Sequence, residues 1–158
     1  MKIVSLIPSA TEIISALNLC NNLVGISHEC DYPNEILKLP KLTNSRIKTE
    51  QSSSKIDYDI KEILEKSLSV YEVKSDLLKK LDPDVIITQS QCSVCAVSLK
   101  DVEECLSKFI NRKPLLIDLK PNTYEEVLED IKLVGNKLNK KDESYFLVKN
   151  IQNEINKI

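Results

Sequence analysis

The sequence predicts an α/β fold: a single Rossmann-like lobe with a parallel sheet flanked by helices, followed by a long C-terminal linker helix. Three observations predict it. Short β-branched runs alternate with stretches of helical period, the pattern of a parallel sheet with helical crossovers. The run Val85-Ile86-Ile87-Thr88 is apolar without alternation, as in a strand covered on both faces. From Asn122 onward the apolar spacing is helical to the last residue.

The elements follow in order. Residues 3–7 form the first strand. Pro8 and Ser9 stop it, and Ser9-Ala10-Thr11-Glu12 has the spacing of a capping box. Ile13, Ile14, Leu17 and Leu19 give the following helix its buried face. Residues 23–26 form a second strand, 34–37 one helical turn and 41–43 a brief edge strand. The Ser-rich stretch 49–55 is a surface loop. Ile56, Ile60, Ile63 and Leu64 place a helix over 56–65. Residues 68–71 are β-like. Leu77, Leu78 and Leu81 mark a short helix ended by Asp82-Pro83, before the strand at 85–88. Ser98 with Asp101 caps a helix to about residue 109. Residues 115–119 form the next strand. Asn122 caps a helix whose apolar face is Tyr124, Val127, Leu128, Ile131, Val134 and Leu138. A last helix carries Tyr145, Val148, Ile151, Ile155 and Ile158.

The 158 residues suffice for one ordinary domain. Apolar residues are 42% and charged residues 29%, a globular composition. The 22 basic and 24 acidic side chains nearly cancel, which argues against a partner held by phosphate contacts; with no Trp and two Phe, base-stacking platforms are scarce too. Two glycines leave no GxGxxG and no P-loop, against nucleotide binding. No apolar run approaches a membrane span. The first strand begins almost at residue 1 with no export signal ahead of it, so the expected compartment is the cytoplasm, or the periplasm if translation starts further upstream.

Ligands of open parallel sheets bind beyond the carboxyl ends of the strands. The loops expected there are 8–11, 27–33, 72–75 and 89–97. The first offers Ser9 and Thr11 at a helix N-terminus. The second holds His28, the chain's single His, with Glu29, Cys30 and Asp31. The last offers Gln91 and the Cys92-x-x-Cys95 pair. Of the five Cys, Cys20 and Cys105 fall in helical apolar patterns as core residues. His28, Cys30, Cys92 and Cys95 are the residue types of one tetrahedral zinc site drawn from two loops, or of a thiol-redox site. Two inert thiols are the plain alternative.

At these loops the sequence resembles a known family. Ile3-Val4-Ser5-Leu6-Ile7-Pro8-Ser9-Ala10-Thr11-Glu12, Leu23-Val24-Gly25-Ile26-Ser27-His28-Glu29-Cys30-Asp31-Tyr32-Pro33, Leu81-Asp82-Pro83-Asp84-Val85-Ile86-Ile87-Thr88 and the loop Gln89-Ser90-Gln91-Cys92-Ser93-Val94-Cys95-Ala96-Val97-Ser98 are similar to segments of cobalamin-type solute-binding proteins of ABC importers. The resemblance implies two α/β lobes joined by one long helix, with a metal chelate clamped between them. Residues 1–139 would then be the N-terminal lobe and 140–158 the start of the inter-lobe helix, with the second lobe absent.

It also implies a binding module rather than an enzyme. Its ligand would be cobalamin or a related corrinoid, with no cofactor required. Ser9, Thr11, His28, Glu29, Cys30, Asp31, Tyr71, Glu72, Gln91, Cys92 and Cys95 would be the ligand-facing residues, Tyr71 against the ring. Asp76 would dock on an ABC permease. The expected partners are therefore a small molecule, a permease and a missing second lobe. An inactive fragment, with an exposed apolar patch on the last helix, is the remaining expectation.

Overall fold

The computed structural model describes residues 1–47, 50–65, 70–90, 99–107 and 113–157. The elements are β1 (Ile3–Ser5), α1 (Pro8–Ala16), β2 (Leu23–Ile26), β3 (Thr43–Ser45), α2 (Ser53–Glu65), β4 (Tyr71–Val73), α3 (Ser75–Leu81), β5 (Val85–Gln89), α4 (Leu99–Leu106), β6 (Leu115–Leu119), α5 (Tyr124–Lys137) and α6 (Lys141–Ile155). Single 3-10 turns lie at Cys20–Asn22 and Asn34–Ile36.

The predicted parallel sheet is present: four strands in the order β2-β1-β5-β6, each pair parallel. Its central strands, β1 and β5, are buried on both faces. Ile3, Val85, Ile87 and Ile117 face one core with Ile14, Leu17 and Val134. Val4 and Ile86 face the other with Leu42, Leu78 and Val102. This double covering is why these strands are unbroken apolar runs.

Two expectations are corrected. First, there is a second sheet: β3 and β4 pair antiparallel, Thr43 opposite Val73 and Ser45 opposite Tyr71. The loop after β4 therefore does not leave the parallel sheet. The expected strands at 41–43 and 68–71 start two and three residues before the observed β3 and β4, because register follows pairing rather than local hydrophobicity; residues 68 and 69 lie outside the described ones. Second, the helix starts differ. Ile7 caps α1, with Pro8 as its first residue, so Ser9 lies within the first turn and is not the cap. For α5 the cap is Thr123, not Asn122. Its hydroxyl accepts the Glu126 N–H at 3.2 Å, and the Glu126 carboxylate takes the Thr123 and Asn122 N–H groups at 3.2 and 2.5 Å.

Helix α6 turns back along α5. The turn uses Asn139 in the left-handed region (φ 58°), which Asn tolerates. Val148 packs with Leu128 and Ile131, and Leu147 and Ile151 reach Ile13 of α1. The rim of this face leaves Tyr145, Phe146 and Ile155 exposed. Among the described residues, no helix is long and apolar enough to cross a membrane.

Candidate functional site

The strand ends, the β3–β4 sheet and α2 line an open cavity of about 530 Å³. Ile7, Pro8 and Ser9 come from the β1–α1 junction and Glu29 from the loop after β2. Ser45 ends β3 and Ile47 follows it, Ile56 and Ile60 project from α2, and Val70 precedes Tyr71, the first residue of β4. The walls are largely aliphatic. One aromatic ring and one carboxylate stand out among the described lining residues.

The loop after β2 is held at both ends. At its start the Thr43 hydroxyl, buried in β3, accepts the His28 backbone N–H at 2.9 Å. It also lies 3.0 Å from Ser27 Oγ and 2.6 Å from His28 Nδ1. Thr43 has one proton to give. Given to Nδ1, it leaves the ring proton on Nε2. That Nε2 is buried 3.0 Å from Glu29 Oε1, too oblique for a hydrogen bond. The His28 ring meets the Tyr71 ring edge-on, centroids 4.9 Å apart, and the Tyr71 hydroxyl donates to Glu29 Oε1 at 3.3 Å. His28, Glu29 and Tyr71 thus form one unit on the cavity wall. Burial holds the imidazolium below its ordinary pKa of 6.5. The Glu29 carboxylate opposes this, while Lys74 and Lys41 add to it.

The loop's far end is tied inward. Cys30 Sγ is 3.1 Å from Thr11 Oγ1, which also donates to Ser5 Oγ at 2.8 Å. Lys41 Nζ donates to the Cys30 carbonyl at 2.7 Å. Burial raises the Cys30 thiol above its ordinary pKa, with the Thr11 hydrogen bond opposing. Thr11 and Cys30 are 0% and 2% exposed.

The expected site residues therefore separate. Ser9, Glu29 and Tyr71 line the cavity, with His28 directly behind. Thr11 and Cys30 are buried and hydrogen-bonded within the core, outside the described cavity lining. Glu72 turns to Arg46, 3.6 Å away, and Asp31 is exposed outside the cavity lining. Asp76 stands exposed in the first turn of α3. Gln91, Cys92 and Cys95 lie outside the described residues. Of the two described zinc candidates, His28 turns toward Thr43 and Glu29 while Cys30 turns toward Thr11. Among the described residues no group of three or more His, Cys, Asp or Glu could hold a metal ion.

Sequence reasoning missed Ser45, Ile47 and Val70, which the pairing of β3 with β4 brings to the wall, and Thr43, which holds the loop behind it. Ile56 and Ile60 were legible as one helix face but not as a cavity wall.

No model of a known protein family matches the chain, and no curated protein does. Solved structures do. A possible iron-binding (periplasmic solute-binding) protein of Staphylococcus epidermidis superposes with a TM-score of 0.70 at 20% identity, over 99% of this chain and 49% of that one. The periplasmic heme-binding protein RhuT of Roseiflexus gives 0.68 at 21% identity, over 98% and 47%. The periplasmic vitamin B12-binding protein BtuF of Vibrio cholerae gives 0.65 at 20%, over 99% and 48%. The chain thus spans about half the length of each. At these identities the likeness is one of fold: the chain folds as about half of a periplasmic solute-binding protein.

Proposed function

We propose that the chain is one ligand-binding lobe of an ABC-importer solute-binding protein for a flat, metal-chelating macrocycle, of the heme or corrin class. The observation that carries this is the strand-end cavity: an aliphatic trough with an aromatic wall at Tyr71 and few polar groups among its described lining residues. A large amphipathic ring needs that combination, apolar area for its faces and a few fixed polar groups for its edge. The likeness in fold to a possible iron-binding protein and to heme- and vitamin B12-binding proteins agrees with it. Such a lobe binds and releases without turnover. It works outside the cytoplasmic membrane, beside a permease that Asp76 contacts, and a second lobe supplies the opposing wall.

The test is calorimetric titration of the purified chain with hemin, cobalamin and dicyanocobinamide. At least one should bind, in the micromolar range or weaker, because a single wall contributes half the contacts. Tyr71→Ala should weaken that binding at least tenfold. Absence of heat with all three at high micromolar concentration would sink the reading for this chain.

A further inference from the structure

We propose that Glu29 makes this cavity selective for macrocycles edged with amides over macrocycles edged with carboxylates. The inference rests on the reading that the cavity takes such a ring, and it names which ring chemistry the site prefers.

Three features carry it. Glu29 is the one charged side chain among the described lining residues; its polar neighbours there are the neutral hydroxyls of Ser9, Ser45 and Tyr71. The carboxylate is held in place. Its Oε1 accepts the Tyr71 hydroxyl and abuts His28 Nε2, and its backbone N–H donates to Ser27 Oγ at 3.3 Å. Of the nearby cations, Lys41 donates to the Cys30 carbonyl, Arg46 pairs with Glu72, and Lys74 is not among the lining residues. A carboxylate only accepts hydrogen bonds. The side chain is 49% exposed in the open cavity, so a ring seated on the aliphatic wall would cover it; there it favours the N–H groups of a ligand amide and repels a ligand carboxylate more strongly than in open water. An edge of propionates meets like charge at Glu29; an edge of amides meets an acceptor.

A matched pair of probes isolates the edge chemistry. Dicyanocobinamide and dicyanocobyrinic acid share ring, metal and axial ligands and differ in amide against carboxylate side chains. Calorimetry at pH 7.5 should find the amide form bound at least tenfold more tightly. Glu29→Gln should shrink that ratio at least threefold, chiefly by strengthening the acid's binding. Glu29→Asp, which keeps the charge, should retain the preference, and circular dichroism would verify that both variants fold. Equal affinities, or a ratio unchanged in Glu29→Gln, would overturn the selectivity while leaving the macrocycle reading intact. Failure of both probes, with hemin and cobalamin silent as well, would remove the reading itself and the selectivity with it.

Discussion

The Thr43 hydroxyl reaches three polar groups of the loop after β2: the His28 N–H, His28 Nδ1 and Ser27 Oγ. Thr43→Val keeps the shape and strands those groups in a buried place. The expected loss is about 1–3 kcal/mol of stability, the usual cost of orphaned buried partners, measured by urea unfolding at pH 7.5. The His28 ring offers a second test, since it is the chain's single His and its NMR signals need no assignment. Its titration midpoint should fall below 6.5, and Glu29→Gln should lower it further by removing an attractive charge. Folding lowers this pKa, so acidification below 6.5 protonates the unfolded chain first. The His28 contribution to stability is intact above 6.5 and is lost as pH falls below it. At this scale the sequence marked His28 and Glu29 as residues to watch, because titratable groups in a row at a strand end are unusual. It could not mark Thr43, whose role exists only once β3 lies beside the loop.

Helices α5 and α6 pack where a side chain is missing. A Cβ on Gly135 would stand 2.3 Å from the Ser144 side chain and 2.8 Å from the Lys140 carbonyl. Gly135→Ala gains helix propensity, yet the backbone at Lys140 cannot swing aside as a side chain would. Overpacking should therefore win, for a net loss of about 1–3 kcal/mol in thermal or urea unfolding. The same helix carries a misplaced charge. Asp130 is pushed up to about 6, by burial first and then by Glu126 and Asp118. A raised pKa means that stability is full below the ordinary value of 3.8 and falls as pH rises through 6. Asp130→Asn should stabilise the fold at pH 7 by about 1 kcal/mol once solvent screening is allowed for, with the gain vanishing toward pH 4. The α5 apolar stripe was legible as period. Its capping residue was displaced by one, because Asn122 and Thr123 are both competent caps and only the Thr123–Glu126 reciprocity decides between them.

Across the molecule, the four-stranded parallel sheet is the framework and the β3–β4 sheet the added wall. β1 and β5 are central and covered on both faces, whereas β3–β4 is a pair of three-residue strands. Hydrogen exchange should find the slowest amides at Val4, Ile86 and Ile87, with the β3–β4 pair exchanging sooner; equal protection would mean that the two sheets open as one unit. By itself the sequence determined the α/β class, the strands at Leu23–Ile26 and Leu115–Leu119, and the strand-end loop at His28, since period and β-branching are local properties of the chain. Only the tertiary structure decided which loop residues face the cavity. Glu29 and Cys30 are neighbours in sequence and opposites in space: one turns to Tyr71 and the trough, the other to Thr11 and the core. The physical reason is that side-chain direction in a loop is set by the hydrogen bonds that pin its backbone. Here those bonds come from Thr43 and Lys41, residues that no local pattern joins to it.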